Sequence, residues 1–216
     1  MKIQISYQTQ DLPPPFAFAA LFDVSIQNEA LDVNFSLHYL ERDQISGSEI
    51  LAEGYTLEDD FEWKGRLGRN WIDPVKNLVS TRFLSEPKES FYIHIIADEK
   101  KGFPDLSDDV VIQELMQAVL EASKREAPLS FLLCQEFDQE MMQFEFANRS
   151  VLIDNRRYDW ESAYKLMVLL YSIDLDEASA SKSPLKNSVS IEENRWISID
   201  NKEFWNLYTN LRSQGK

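Results

Sequence analysis

The sequence predicts an α+β fold in which an antiparallel or mixed sheet carries about four helices. The 216 residues are expected to form a single domain, because this length allows one full core and only marginally two. A hydrophobic fraction of 44% is enough to bury that core. An early hairpin and later strand–helix units argue against a doubly wound parallel sheet.

The hairpin is the clearest element and lies within residues 16–39. Phe22 and Val24 belong to an apolar series at every second position, and Val33 and Phe35 belong to a second such series. Successive side chains of a strand point to opposite faces, so each series predicts a strand with one apolar face. Residues 27–30 are the predicted turn between them.

The remaining elements follow from apolar periodicity and helix-capping residues. Strands are predicted over 3–7, 61–67, 90–97, 129–137, 141–147, 151–158 and 196–199. Four helices are predicted, at about 73–83, 107–125, 160–173 and 200–211. Their expected N-caps are Asp73, Ser107, Asp159 and Asp200.

Residues 174–187 form the clearest loop, since they are small, polar and without apolar period, and we expect this internal loop to be mobile. Trp71 and Trp196 lie in short similar sequences, and each precedes a predicted helix. The similarity is too short for an internal repeat, and we interpret it as the same local arrangement, a Trp before a capped helix, occurring twice.

The composition limits the classes of function. A net charge of −15 repels phosphate backbones, so nucleic-acid binding is not expected. Cys134 is the single cysteine, and it excludes a disulfide framework and a cysteine-based zinc cluster. No signal-peptide core and no apolar run of membrane-spanning length is visible, which predicts a cytoplasmic protein without membrane attachment.

The negative charge is concentrated in residues 41–62, which we call the acidic segment. It contains eight carboxylates and one basic residue, Arg42. The predicted binding residues are Glu58, Asp59, Asp60 and Glu62, with Trp63 as an apolar anchor. Four carboxylates within five residues cannot all be paired locally, so their field is expected to steer a basic protein partner.

Catalytic patterns are weak. Phosphate-binding glycine motifs are absent, and only two histidines occur, so neither a cofactor nor a metal is predicted. Cys134 with His94 is one conceivable nucleophile–base pair, although a free cysteine is commonly only packed in the core. Alternating carboxylates at Glu136, Asp138 and Glu140 are another conceivable site, although an exposed strand end explains them equally well.

Two hypotheses of different classes result from the sequence. The first is a non-enzymatic interaction module that acts through an acidic surface. The alternative is a hydrolase-type enzyme with a dispersed carboxylate or Cys/His site. A flat acidic face with exposed apolar side chains favours the first, and a deep pocket with converging titratable groups favours the second.

Overall fold

A computed structural model describes residues 1–9, 11–27, 29–80, 83–84, 86, 91–98, 100–104, 109–173, 179–192 and 195–214. The chain divides into two compact units, Met1–Glu126 and Ala127–Lys216. Each unit contains its own six-stranded antiparallel sheet. The assignment of residues 1–216 to a single domain stays a prediction.

Six strands and three helices lie among the described residues of the first unit. The strands are β1 (Lys2–Thr9), β2 (Phe18–Gln27), β3 (Ala30–Tyr39), β4 (Phe61–Leu67), β5 (Phe91–Ala97) and β6 (Lys100–Gly102). The helices are α1 (Gly47–Ala52), α2 (Ile72–Ser80) and α3 (Asp109–Ala122). The strand order across the sheet is β4-β3-β2-β1-β5-β6.

Among the described residues of the second unit there are six strands and two helices. The strands are β7 (Leu129–Gln135), β8 (Asp138–Glu145), β9 (Ser150–Ile153), β10 (Arg156–Asp159), β11 (Asn187–Glu192) and β12 (Arg195–Ser198). The helices are α4 (Trp160–Ser172) and α5 (Lys202–Gln214). The strand order across this sheet is β10-β9-β8-β7-β11-β12.

The prediction of one sheet with about four helices is therefore wrong. There are two sheets, and the described residues form five helices. Period-two alternation identifies a strand but not its hydrogen-bonding partner, so it could not divide the strands between two sheets. The helix that the sequence analysis missed is α1, whose six residues are too few for a periodic signal.

The two units share one topology. In each, four consecutive strands form a meander, a helix follows, two further strands add beside the first strand, and a helix ends the unit. Trp71 directly precedes α2 and Trp160 begins α4, so these two buried tryptophans hold matching places. Trp196 lies instead in β12, and the Trp71–Trp196 similarity therefore does not mark this correspondence.

Both cores are built from one sheet face and the apolar sides of helices. The predicted hairpin is confirmed, because β2 and β3 pair antiparallel with Phe22 opposite Phe35. In the first unit the helix residues without exposed surface include Val75, Ile112 and Leu115. In the second unit the core includes the following side chains: Leu133, Phe144, Val151, Trp160, Leu166, Phe204, Tyr208 and Leu211.

The helix N-termini correct two of the predicted caps. Asp159 caps α4 as predicted, since its carboxylate accepts a hydrogen bond from the Ser162 backbone amide. Asp73 lies inside the first turn of α2 because a 3₁₀ turn, Arg69–Trp71, leads directly into that helix. The cap at α5 is Asn201, whose side-chain oxygen accepts from the Phe204 amide. The Ser107 cap lies outside the described residues.

Residues 174–178 of the predicted mobile loop also lie outside the described residues. Its second half is tied to the sheet, because Ser181 exchanges two backbone hydrogen bonds with Trp196 and the Lys186 carbonyl accepts from the Glu136 amide. The mobility of 174–187 as a whole stays a prediction.

Candidate functional site

The connection between the third and fourth strands differs sharply between the two units. In the second unit β9 and β10 are joined by Asp154 and Asn155 alone, both with positive φ (47° and 64°), as a tight hairpin requires. In the first unit the same connection is residues 40–60, nearly all of the acidic segment. The shared topology does not need this length, and connecting segments carry binding residues disproportionately often.

Arg42 holds the acidic segment on the sheet. Its guanidinium lies 3.8 Å from the ring centroid of Tyr39 and 4.9 Å from that of Tyr55. It also forms a 2.9 Å ion pair with Asp59, and the two side chains are only 12% and 19% exposed. We call Tyr39, Arg42, Tyr55 and Asp59 the Arg42 clamp. A cation held between two rings and a carboxylate fixes its neighbours in position.

Electrostatics within the clamp favour the charged form of Asp59. Burial opposes ionisation of this carboxyl, but hydrogen bonds from Thr56 and Arg42 outweigh burial and lower its pKa. The Thr56 amide and hydroxyl donate at 2.9 and 2.5 Å. Burial, followed by the nearby Tyr55, raises the pKa of Tyr39. Arg42 is therefore matched by an ionised partner at neutral pH.

Asp60 has a second anchoring role. Its carboxylate lies 2.9 Å from Nδ1 of His38 and accepts a 2.9 Å hydrogen bond from the Tyr39 amide. These hydrogen bonds, with His38 contributing most, lower the pKa of Asp60. Asp59 and Asp60 together fasten the C-terminal end of the acidic segment to the end of β3.

The helix α1 occupies the middle of the acidic segment. It begins with a capping box, in which Ser46 accepts from the Glu49 amide and Glu49 accepts from the Ser46 amide. Leu51 on this helix is 57% exposed, and Leu57, which packs close to Gly47, is 61% exposed. Two leucines of the acidic segment are thus exposed to solvent.

The five predicted binding residues have different environments. Glu58 and Glu62 are exposed, and neither carboxylate has a partner among the described residues. Asp59 and Asp60 are engaged in the contacts above. Trp63 is half-buried, and its ring lies across Gly65, where an added Cβ would be only 2.1 Å from it. The structure therefore places Trp63 against its own strand and gives the two aspartates internal partners.

Sequence reasoning missed several residues of this surface. Glu41, Asp43 and Glu53 are exposed, and their carboxylates have no partner within the described part of the chain. Leu51 and Leu57 were also missed, although isolated leucines within an acidic stretch were a signal available in the sequence. Glu58 and Glu62 join these three as exposed carboxylates of the acidic segment without a described partner, and Leu51 and Leu57 are its exposed large apolar side chains.

A broad hollow of about 1060 Å³ lies on the open face of the first sheet. Charges of both signs line it, and Arg66 pairs with Asp32 at 2.8 Å. Arg69, in the 3₁₀ turn after β4, pairs with Glu29 at 3.3 Å. Both arginines therefore have a carboxylate partner.

The conceivable catalytic groups lie on different sheets or have separate partners among the described residues. Cys134 is fully buried on β7, whereas His94 lies on β5 of the other sheet. Glu136 is 64% exposed and forms a 3.0 Å ion pair with Lys186. Glu140 instead accepts a hydrogen bond from the buried Tyr208 hydroxyl and pairs with Arg212.

No group of three or more His, Cys, Asp or Glu side chains among the described residues is arranged to hold a metal ion. None of the described helices is both long and apolar enough to cross a membrane. Comparisons with protein-family models, curated proteins and solved structures find no match to this chain.

Proposed function

We propose that the protein is a non-enzymatic interaction module of the cytoplasm and that its acidic segment binds a basic protein segment. The observation that carries this proposal is the connection between β3 and β4. Residues 40–60 replace a two-residue turn and present unpaired carboxylates beside exposed leucines. The hydrolase alternative stays a prediction of the sequence.

The chemistry of the surface supports a basic, amphipathic partner. Glu53 and Glu58 lie within two residues of Leu51 and Leu57 along the chain, so negative charge and apolar area occur together. Such a surface complements an amphipathic segment with Lys or Arg on one side and large apolar residues on the other. Carboxylates would govern association rate and salt dependence, and the leucines would supply apolar contact.

The Arg42 clamp and Asp60 have a supporting role in this proposal. They hold the acidic segment in one conformation, which reduces the conformational entropy lost on binding. The contacting carboxylates are accordingly Glu41, Asp43, Glu53, Glu58 and Glu62. Reversing Asp59 or Asp60 would disturb the segment itself and is a poor test of binding.

Charge distribution supports a basic partner and disfavours a nucleic acid. The first unit contains 23 acidic and 12 basic residues, a net charge of −11, whereas the second contains 14 and 10, a net charge of −4. The unit that carries the acidic segment therefore contributes most of the negative field. That field repels phosphate backbones and attracts cationic segments.

The test uses a labelled amphipathic peptide of Lys and Leu, with a scrambled peptide of the same composition beside it. Fluorescence anisotropy is measured at about 50 and 300 mM salt, since the screening length falls from roughly 14 Å to 6 Å over that range. We expect tighter binding of the amphipathic peptide, weakened by salt. The Glu53→Lys, Glu58→Lys variant should lose it, and Leu51→Gln with Leu57→Gln should weaken it without changing the salt dependence.

A matched control reverses two exposed carboxylates in the second unit, Asp138→Lys with Asp200→Lys, for the same change in net charge. Equal loss of binding in this control would mean that only the net charge matters. That result, or the absence of binding by wild-type protein at low salt, would contradict the proposal. Circular dichroism of every variant checks that the fold is retained.

A further inference from the structure

A second candidate site lies in the second unit, at the place that corresponds to the acidic segment. A recess of about 400 Å³ is formed by the β9–β10 turn, the start of β8 and the end of α5. Its charged lining consists of Glu140, Asp154, Arg156 and Arg212. This volume is within the range of small-molecule sites, which bind their ligands through a few well-placed polar groups.

One acid–base pair in the recess is already satisfied. Glu140 is only 12% exposed, forms an ion pair with Arg212 and accepts a 2.5 Å hydrogen bond from the Tyr208 hydroxyl. Burial, and then the Glu140 carboxylate, raise the pKa of Tyr208, so its hydroxyl remains a donor. These contacts fix the inner wall of the recess and leave Glu140 with little capacity for a ligand.

The other acid and base remain open. Arg156 lies opposite Ile153 in the ladder, on the sheet face that also carries the buried Tyr158, and its guanidinium has no partner among the described residues. One Asp154 oxygen accepts from the Met141 amide at 3.2 Å, and this bond holds the carboxylate in place. The other oxygen has no hydrogen-bond or ion-pair partner within the described residues.

From this arrangement we infer that the recess binds a small zwitterion of the α-amino-acid class. Arg156 would bind the ligand carboxylate through its planar fork of N–H groups. Asp154 would accept from the ligand ammonium. The four charged side chains of the lining sum to zero, so a simple anion would face both carboxylates and a simple cation both arginines. A ligand that carries one charge of each sign matches the one open group of each sign.

Calorimetric titration of the full chain tests this inference, with the common amino acids as ligands up to about 10 mM. Each ligand that binds is compared with its carboxamide, which lacks the carboxylate, and its N-acetyl form, which lacks the ammonium. We expect saturable binding of at least one amino acid. Both blocked forms should bind about tenfold more weakly or worse, as loss of a charged hydrogen-bond partner requires.

Three variants sharpen the test. Arg156→Gln and Asp154→Asn should each weaken binding by about tenfold or more, and Asp154→Asn keeps an oxygen for the Met141 amide. Arg157→Gln is the matched control, since Arg157 lies on the opposite face and pairs with Glu145 at 2.9 Å, and its affinity should be unchanged. No binding by any amino acid, equal binding of the blocked forms, or tighter binding of inorganic phosphate would overturn the inference. Thermal unfolding verifies that each variant is folded.

Discussion

The Arg42 clamp gives a quantitative prediction. In Arg42→Ala or Asp59→Ala, one charge of a 2.9 Å pair is left with little solvent around it, because the two side chains are 12% and 19% exposed. Exposed pairs contribute about 0–1 kcal/mol and breaking a buried pair costs about 3–5 kcal/mol. The partial burial of this pair, with two aromatic rings against Arg42, predicts a loss of about 2–4 kcal/mol for either substitution.

The assay is urea denaturation of both single variants and the double variant. Because the two residues contact each other, we expect a coupling energy of about 1–3 kcal/mol. Arg66→Ala is the matched control, since Arg66 forms a 2.8 Å pair with Asp32 whose side chains are 61% and 34% exposed, and it should cost no more than about 1 kcal/mol. Hydrogen exchange should show faster amide exchange in residues 40–60 only for the clamp variants.

The same clamp predicts a pH dependence. The folded-state pKa of Asp59 is lowered, so its contribution to the free energy of unfolding is complete above its unfolded pKa of about 3.9. It is lost as pH falls through the lowered value. The stability difference between wild type and Asp59→Asn should therefore be constant near neutral pH and shrink in acid. Clamp variants no less stable than Arg66→Ala, with a coupling below about 0.5 kcal/mol, would refute the reasoning.

Three further predictions concern other parts of the fold. Phe22→Ala and Phe35→Ala should each lower the free energy of unfolding by about 3–5 kcal/mol, measured by denaturation, because both rings are buried and their centroids are 4.7 Å apart; an unchanged midpoint would contradict this. Gly65→Ala should displace the Trp63 ring, change its fluorescence and cost about 1–3 kcal/mol, whereas an unaltered emission spectrum would argue against the close contact. Cys134 should react slowly with a thiol reagent in the native state, and stoichiometric labelling within seconds would disprove its burial.

The sequence was most informative where side-chain period and secondary structure coincide. The alternation in residues 16–39 predicted β2 and β3, and the apolar stripe of residues 160–173 predicted α4 to within one residue of its end. It was less informative for β10, because the apolar pattern of residues 151–158 predicts one continuous strand. In the structure these residues form the hairpin of β9 and β10, with Asp154 and Asn155 as its turn. Asp–Asn lacks the glycine that signals such a turn most strongly.

The shared topology of the two units and the contacts within the acidic segment could not be predicted from the sequence. The predicted strands and helices of the two halves follow a similar order, but no residue pattern showed which elements correspond. The tryptophan that corresponds to Trp71 is Trp160 and not Trp196. For the acidic segment, charge density predicted that some carboxylates stay exposed, and Glu58 and Glu62 are exposed. It could not distinguish a carboxylate that faces solvent, such as Glu58, from Asp59, which is held by Arg42, because the distinction depends on contacts between distant residues.

The strand order has a consequence for synthesis on the ribosome. The strands β1 to β4 can pair one after another as they emerge from the ribosome. The second edge of β1 pairs with β5, so it stays unpaired from the synthesis of Thr9 until that of Phe91. The same delay recurs in the second unit, where β7 waits for β11. An unpaired central strand is a site for aggregation or chaperone binding. Nascent chains stalled before residue 91 should therefore be the aggregation-prone intermediates of this protein.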